Sequence, residues 1–280
     1  MNYLKLVIKV PEETQEYVIA ELMDMDFYGF EQSDDRLIAY VEKPRFNDLN
    51  REKIEQMIAS LPGAKFVEFS DVAEKNWNET WEASIQPQSI GDFFVRPTWS
   101  ENEPDNEQML IEIDPKMSFG TGYHATTRLM LRQLSKFDCK NIRVLDAGTG
   151  TGILAIAACK LGAKKAIGFD YDPLCEKNAT ENAAINEIGS QLEIRLGGFE
   201  TVESEKAFDI ILANINRNVI LEFLDQMISL LDKKGKLCLS GLLKTDESKV
   251  MEKLASYPVQ VTDKQTEDEW MLLQIEYSDK

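Results

Sequence analysis

A single histidine, His124, serves the whole 280-residue chain. One imidazole cannot build a His-rich zinc site or a pair of rings for acid and base work, so metal-dependent hydrolysis is not the expected chemistry. Cysteine is nearly as scarce. The four residues Cys139, Cys159, Cys175 and Cys238 include no CxxC metal or redox pair, and a reduced, cytoplasmic setting is the simple reading. No apolar run approaches the roughly 18 residues of a membrane span. The opening segment from Met1 to Val10 lacks a long apolar core and runs directly into Pro11-Glu12-Glu13, so neither an export signal nor an anchor is expected. Positive charge is in deficit, with 31 Lys and Arg against 49 Asp and Glu and a net charge of −18. Most of such a surface would repel a phosphate backbone, and a basic protein suits it better as a partner.

What is present is an ordinary globular composition, 43% hydrophobic and 29% charged, on a length that fits a domain with a smaller companion. Residues 4–10 alternate apolar and polar as a half-buried strand does, and Val18, Ile19, Leu22 and Met23 then share one helical face. Phe27 to Phe30 and Leu37 to Val41 read as strands around the turn Ser33-Asp34-Asp35. Asn47 is placed to cap a helix carrying Ile54, Met57, Ile58 and Leu61, and Lys65 to Phe69 closes the set as a fourth strand. The order β-α-β-β-α-β is that of a ferredoxin-like α+β module over residues 1–70. Residues 71–99 read as a connector, with Trp77 and Trp81 four apart on one face of a short helix. Residues 100–280 form the second domain. After a strand from Met109 to Ile113 and a helix beginning near Ala125, strands near 142–147, 166–170, 191–196, 208–213 and 235–240 alternate with helices. That pattern demands a parallel α/β sheet covered on both faces. Two last strands, near 257–263 and 269–277, complete seven as an antiparallel edge hairpin.

Three features at the carboxyl ends of these strands carry chemistry. The first is Val144-Leu-Asp-Ala-Gly148-Thr-Gly150-Thr-Gly152, where an apolar strand breaks into alternating glycines before a helix. Missing side chains there let a ligand lie against the backbone. A dinucleotide fingerprint starting at Gly148 needs glycine where Ile153 stands, and one starting at Gly150 ends on Ala155, which only some variants tolerate. Asp146, just before the glycines, suits a cationic amine better than a pyrophosphate. The bland alternative is a tight turn without a ligand. The second feature is Asp170, a carboxylate ending a strand 22 residues after Gly148, about the interval of a ribose-binding acid. Asp172 and Pro173 then start the next helix. The third is Asn214, a carboxamide at the end of the apolar strand Phe208-Asp-Ile-Ile-Leu-Ala, which either caps the following helix or reaches into the ligand crevice.

In this order the motifs resemble those of class I methyltransferases that use S-adenosylmethionine. Further stretches narrow the resemblance: Met117-Ser-Phe-Gly-Thr-Gly-Tyr-His-Ala-Thr126-Thr127, Gly168-Phe-Asp-Tyr-Asp-Pro173, Ala213-Asn-Ile215, Leu239-Ser-Gly241 and Val95-Arg-Pro-Thr-Trp99. They look like the PrmA family, which methylates large-subunit ribosomal protein L11. The resemblance covers nearly all of the second domain, and its Phe-Gly-Thr-Gly loop is far more specific than the glycine turn. It implies a Rossmann-like seven-stranded methyltransferase domain behind a small substrate-recognition domain. It also implies Thr127, Gly148, Asp170 and Asn214 as cofactor contacts, beside Asp146 and Gly150 of the turn, with Asn214 as the catalytic residue. Tyr123, Ala125 and Asn216 depart from the family pattern, which commonly has Thr, Pro and an aliphatic residue there.

The expected activity is transfer of methyl groups from S-adenosylmethionine to amines of a basic ribosomal protein, by a cytoplasmic monomer. A methyltransferase for another protein or a small amine, and a binder without turnover, are the alternatives. Nucleic-acid methylation fits poorly. None of the cysteines follows a proline, as a nucleophile for pyrimidine carbon methylation would, and Asn214 is followed by Ile215-Asn216-Arg217 rather than the Pro-Pro-aromatic element of nucleobase amino methylation. His124 reads as a residue that orders its loop, with general-base work as the lesser alternative.

Overall fold

The computed structural model describes residues 3–23, 25–27, 29–72, 85–104, 107–116 and 118–278. The chain forms two compact units, Met1–Trp81 and Glu82–Lys280. Trp77 and Trp81 lie outside the described residues. No helix among those described is long and apolar enough to cross a membrane.

In the first unit, strands β1 (Tyr3–Lys9), β2 (Gly29–Ser33), β3 (Arg36–Glu42) and β4 (Lys65–Val72) form one antiparallel sheet in the order β2-β3-β1-β4. Helices α1 (Glu12–Met23) and α2 (Asp48–Ser60) follow β1 and β3. This is the ferredoxin-like arrangement. Leu6 and Ile8 of β1 alternate onto the face that packs with Val18 and Leu22 of α1 and Ile54 and Ile58 of α2. Asn47 caps α2 through a bond from Asn50 N to its Oδ1 at 3.0 Å. The second strand begins later than the apolar run from Phe27 suggests. Phe27 is instead a buried loop residue, edge-on to Phe46 at 6.2 Å.

The second unit contains a seven-stranded sheet of β8 (Arg143–Ala147), β9 (Lys165–Asp170), β10 (Leu192–Leu196), β11 (Phe208–Asn214), β12 (Leu231–Leu243), β13 (Val259–Glu267) and β14 (Trp270–Tyr277). Their order is β10-β9-β8-β11-β12-β14-β13, parallel through the first five and antiparallel at the β14–β13 hairpin. Helices α3 (Ala125–Leu134), α4 (Ile153–Lys160), α5 (Pro173–Ile185), α6 (Arg217–Leu230) and α7 (Glu247–Leu254) complete the layers. Neighbouring strand residues go to opposite cores. Val144 and Ile210 join α3 and α4 on one face, while Leu145 and Ile211 join α6 and α7 on the other. That division explains why these strands read as continuous apolar runs.

Two differences from the sequence reading have local causes. β13 continues to Glu267 through Thr262-Asp-Lys-Gln-Thr-Glu, too polar to register as strand, because as an edge it alternates half-buried and exposed positions. Residues 88–97, which fall in the weakly periodic connector stretch, contain β5 (Gln88–Ile90) and β6 (Phe93–Pro97). These pair with β7 (Met109–Ile113) in a three-stranded sheet.

One side of β7 is covered by a helix rather than a strand. Asn178, Asn182 and Asn186 recur every four residues along α5 and its C-terminal cap, on one face. Asn186 accepts from Glu112 N at 3.0 Å and donates to Glu112 O at 2.6 Å, and Asn182 accepts from Asp114 N at 2.8 Å. The Nδ2 of Asn182 donates to Asp114 O at 3.2 Å and to Thr151 O at 3.0 Å. These carboxamides thus stand in for a neighbouring strand and tie β7 to the glycine turn. Asn182→Ala is expected to lower unfolding free energy by about 2–3 kcal/mol and to speed amide exchange at Asp114. Denaturant unfolding and hydrogen exchange measure both, and an unchanged Asp114 amide would refute the assignment.

Candidate functional site

β8 and β11 are parallel neighbours, yet the chain leaves β8 toward β9 and leaves β11 toward β12, on the other side. Their loops part at this switch point, where open α/β sheets hold ligands. A cavity of about 400 Å³ lies there, lined by Gly148 and Gly150, by Asp170, Tyr171 and Asp172, by Asn214, Ile215 and Asn216, and by Phe119, Phe169, Phe199 and Phe223 among others.

The glycine turn is left-handed, with φ of 72° at Gly148 and 55° at Gly150, conformations that disfavour a side chain. Sterics add a second requirement. A Cβ on Gly148 would come within 2.4 Å of Ile215 Cγ2, and one on Gly150 within 2.3 Å of the Phe119 carbonyl oxygen. Bare backbone is therefore demanded by the protein's own packing as well as by any ligand. Thr151 joins this turn to the Phe-Gly-Thr-Gly loop, its N donating to Phe119 O at 2.9 Å and its Oγ1 to Gly120 O at 2.5 Å.

Of the six residues singled out from sequence, four line the cavity: Gly148, Gly150, Asp170 and Asn214. The carboxylate of Asp170 is held by two main-chain donors, Gly150 N at 3.0 Å to Oδ2 and Asp172 N at 3.1 Å to Oδ1. Each oxygen retains acceptor capacity for a ligand hydroxyl. Asn214 donates from Nδ2 to Thr127 Oγ1 at 3.5 Å, while its Oδ1 is buried without a partner among the described residues. Thr127 is fully buried and acts from behind Asn214 rather than as a wall of the cavity.

Asp146 is likewise not among the lining residues. It is 1% exposed, and its Oδ2 accepts from Thr149 Oγ1 at 2.7 Å and Ala155 N at 3.2 Å, fastening the glycine turn to α4. Burial pushes its carboxyl up from 3.8 to about 6, with the Asp170 charge adding and the two hydrogen bonds opposing.

His124 caps α3, its Nδ1 accepting from Thr126 N at 3.3 Å and facing Thr126 Oγ1 at 2.8 Å. Its ring is edge-on to Phe119 at 5.3 Å and Trp270 at 4.8 Å. Burial, then the Arg128 charge, lower its pKa, against an opposing pull from Glu269. The cap needs a ring nitrogen as acceptor, which only neutral imidazole offers. His124 thus orders the loop. Asn216 also caps a helix, α6, by accepting from Val219 N at 3.1 Å.

The aromatic wall escaped sequence reasoning. Phe199 meets Phe169 edge-on at 5.0 Å and stacks on Phe223 at 5.2 Å, but the three come from β9, a short turn after β10 and α6, so no spacing links them.

Sheet order, glycine turn and strand-end carboxylate together define a class I, Rossmann-like methyltransferase domain. Comparison with known proteins agrees and goes further. The family model "Ribosomal protein L11 methyltransferase (PrmA)" matches residues 2–277. A ribosomal protein L11 methyltransferase of Chlorobaculum parvum is 37% identical over 285 residues, covering 98% of this chain and 96% of that one. One from Porphyromonas gingivalis is 39% identical, covering 84% and 81%. The crystal structure of a ribosomal protein L11 methylase from Lactobacillus delbrueckii subsp. bulgaricus superposes with a TM-score of 0.65 at 30% identity, covering 70% of this chain and all of that one. The chain belongs to the ribosomal protein L11 methyltransferase (PrmA) family.

The buried carboxyl of Asp146 sets a pH test. A group that holds its proton more tightly when folded contributes stability that is complete below 3.8 and lost as pH rises through about 6. Asparagine does not titrate. Relative to Asp146→Asn, the parent should therefore lose on the order of 3 kcal/mol of unfolding free energy between pH 4 and pH 7. Denaturant unfolding of both proteins at each pH measures this, and a difference independent of pH would show that Asp146 stays ionised.

Proposed function

We propose that this chain transfers methyl groups from S-adenosylmethionine to amino groups of large-subunit ribosomal protein L11, lysine side chains and the N-terminal amine among them. The observation that carries this reading is the buried Oδ1 of Asn214, without a partner among the described residues, on a side chain whose residue lines the same cavity as Asp170 with its tethered carboxylate. A buried acceptor left alone costs about 1–3 kcal/mol. An amine bound beside it would satisfy it.

The lining fits the donor's parts. Asp170 has acceptor capacity for the paired hydroxyls of a ribose, Phe169, Phe199 and Phe223 provide apolar surface for a planar base, and the backbone at Gly148 and Gly150 leaves room for an amino-acid tail. Thr127 would steady Asn214, and Asp146 would keep the turn in shape. When bound, S-adenosylmethionine supplies an electrophilic methyl group on a cationic sulfur.

The protein's share of the work is positioning and desolvation. An ordinary lysine amine has a pKa of about 10.4, so its neutral form costs roughly 4–5 kcal/mol at neutral pH. Apolar walls disfavour the ammonium and lessen that cost. The Asn214 Oδ1 accepts one N–H of the neutral amine and so aims its lone pair. Orientation of this kind is worth roughly 7–11 kcal/mol. His124, occupied as a helix cap, takes no part in proton transfer. The leading unit would grip L11, and the enzyme would act as a cytoplasmic monomer.

The test is methyl transfer to purified L11, read by mass spectrometry, beside calorimetry with S-adenosylmethionine. Asp170→Ala should weaken cofactor binding by about 10–100-fold. Asn214→Ala should lower kcat by about 10–100-fold and leave cofactor affinity within a few-fold. Unmodified L11 would overturn the substrate reading, and equal losses of kcat and affinity in Asn214→Ala would overturn its role.

A further inference from the structure

Asn216 carries a hydrogen-bond donor that the described protein does not use. Its Oδ1 accepts from Val219 N at 3.1 Å. Only the oxygen of a carboxamide can take a main-chain N–H, so this bond fixes which way the group is turned. The Nδ2 diverges from it and has no partner among the described residues. Asn216 is exposed and lines the cavity.

Two residues earlier, Asn214 offers the complementary group, its buried and unpartnered Oδ1. The intervening Ile215 sits so close to Gly148 and Gly241 that a Cβ on either would come within 2.4 and 2.3 Å of it. This wedged segment holds both carboxamides in place. Two residues that line the cavity thus carry one acceptor and one donor without a partner among the described residues, separated by a single residue.

We infer that Asn216 gives this chain a contact to the methyl-accepting polypeptide that the aliphatic residue common at this position in the family cannot make: its Nδ2 donates to a main-chain carbonyl oxygen beside the target amine, while Asn214 Oδ1 accepts from the amine. The inference rests on the functional reading above and deepens it. A polypeptide carries a carbonyl on every residue, whereas a simple alkylamine has none to offer. A second cation is disfavoured at Nδ2, because an N–H donor presents positive charge.

The test separates the donor from the helix cap. Serine caps a helix about as well as asparagine, but its hydroxyl is bonded directly to Cβ and stops short of the position that Nδ2 occupies, so Asn216→Ser keeps the cap and withdraws the donor from the cavity. Asn216→Leu loses both. With S-adenosylmethionine saturating, Asn216→Ser should raise KM for L11 by about 3–10-fold, with kcat, cofactor Kd and melting temperature close to the parent's. Asn216→Leu should show a similar rise in KM together with a lower melting temperature. A parental KM in Asn216→Ser would reduce Asn216 to a cap and overturn the inference. Weaker cofactor binding in that variant would assign the donor to the cofactor, overturning it as well. A parent enzyme that leaves L11 unmethylated would remove the functional reading, and this inference with it. A parent that methylates L11 while Asn216→Ser behaves identically would remove the inference alone.

Discussion

The site depends on one constraint, the parallel pairing of β8 with β11 at the point where the chain's path across the sheet reverses. Because the two strands point the same way, their ends emerge at one edge. Because their connections run to opposite sides, a cavity lies beside those ends. Everything polar in the cavity is held relative to this gap. Ile215 from one side presses on Gly148 from the other, and Thr151 latches the turn to the loop that carries Phe119. The carboxylate of Asp170 is in turn steered by the Gly150 amide. A residue with a side chain at Gly148 or Gly150 would disturb packing on both sides of the crevice before it met any ligand.

Much of this was legible in the sequence because the relevant signals are local. Alternating glycines after an apolar strand, an acid ending the next strand and an amide ending β11 each announce a strand terminus, and parallel topology brings such termini together. What could not be read depends on contacts between distant segments. Asp146 precedes the glycines in sequence, but only the path of the turn decides whether its carboxylate meets a ligand or Thr149 and Ala155. The polar run from Thr262 to Glu267 becomes strand because β14 supplies its partner. Phe169, Phe199 and Phe223 form a wall only after three elements have packed.

The asparagines show how one residue type serves different ends. Along α5 and at its C-terminal cap, Asn182 and Asn186 engage both ends of their carboxamides with the backbone of β7 at Glu112 and of Asp114 just past it, and they act as structure. At the carboxyl end of β11, Asn214 leaves its oxygen unpartnered, and Asn216 spends its oxygen on a helix cap while its amide stays open. Composition and spacing do not distinguish these cases. The hydrogen-bond account taken together with place does: Asn178 on α5 also leaves a buried oxygen without a partner among the described residues, but it faces Asp114, whereas Asn214 lines the cavity.

The same account explains why the turn tolerates a costly buried carboxyl. Asp146 takes two donors, Thr149 Oγ1 and Ala155 N, on one oxygen, which an apolar residue of similar size could not do. Removing it would strand the Ala155 amide at the start of α4 and free Thr149, whose side chain lies within 3.0 Å of where a Cβ on Gly168 would stand. Rigidity of the turn is thus bought with a proton affinity raised by burial. Stability and site geometry pull in opposite directions here, because a methyl acceptor misplaced by even an ångström forfeits much of the advantage that orientation provides.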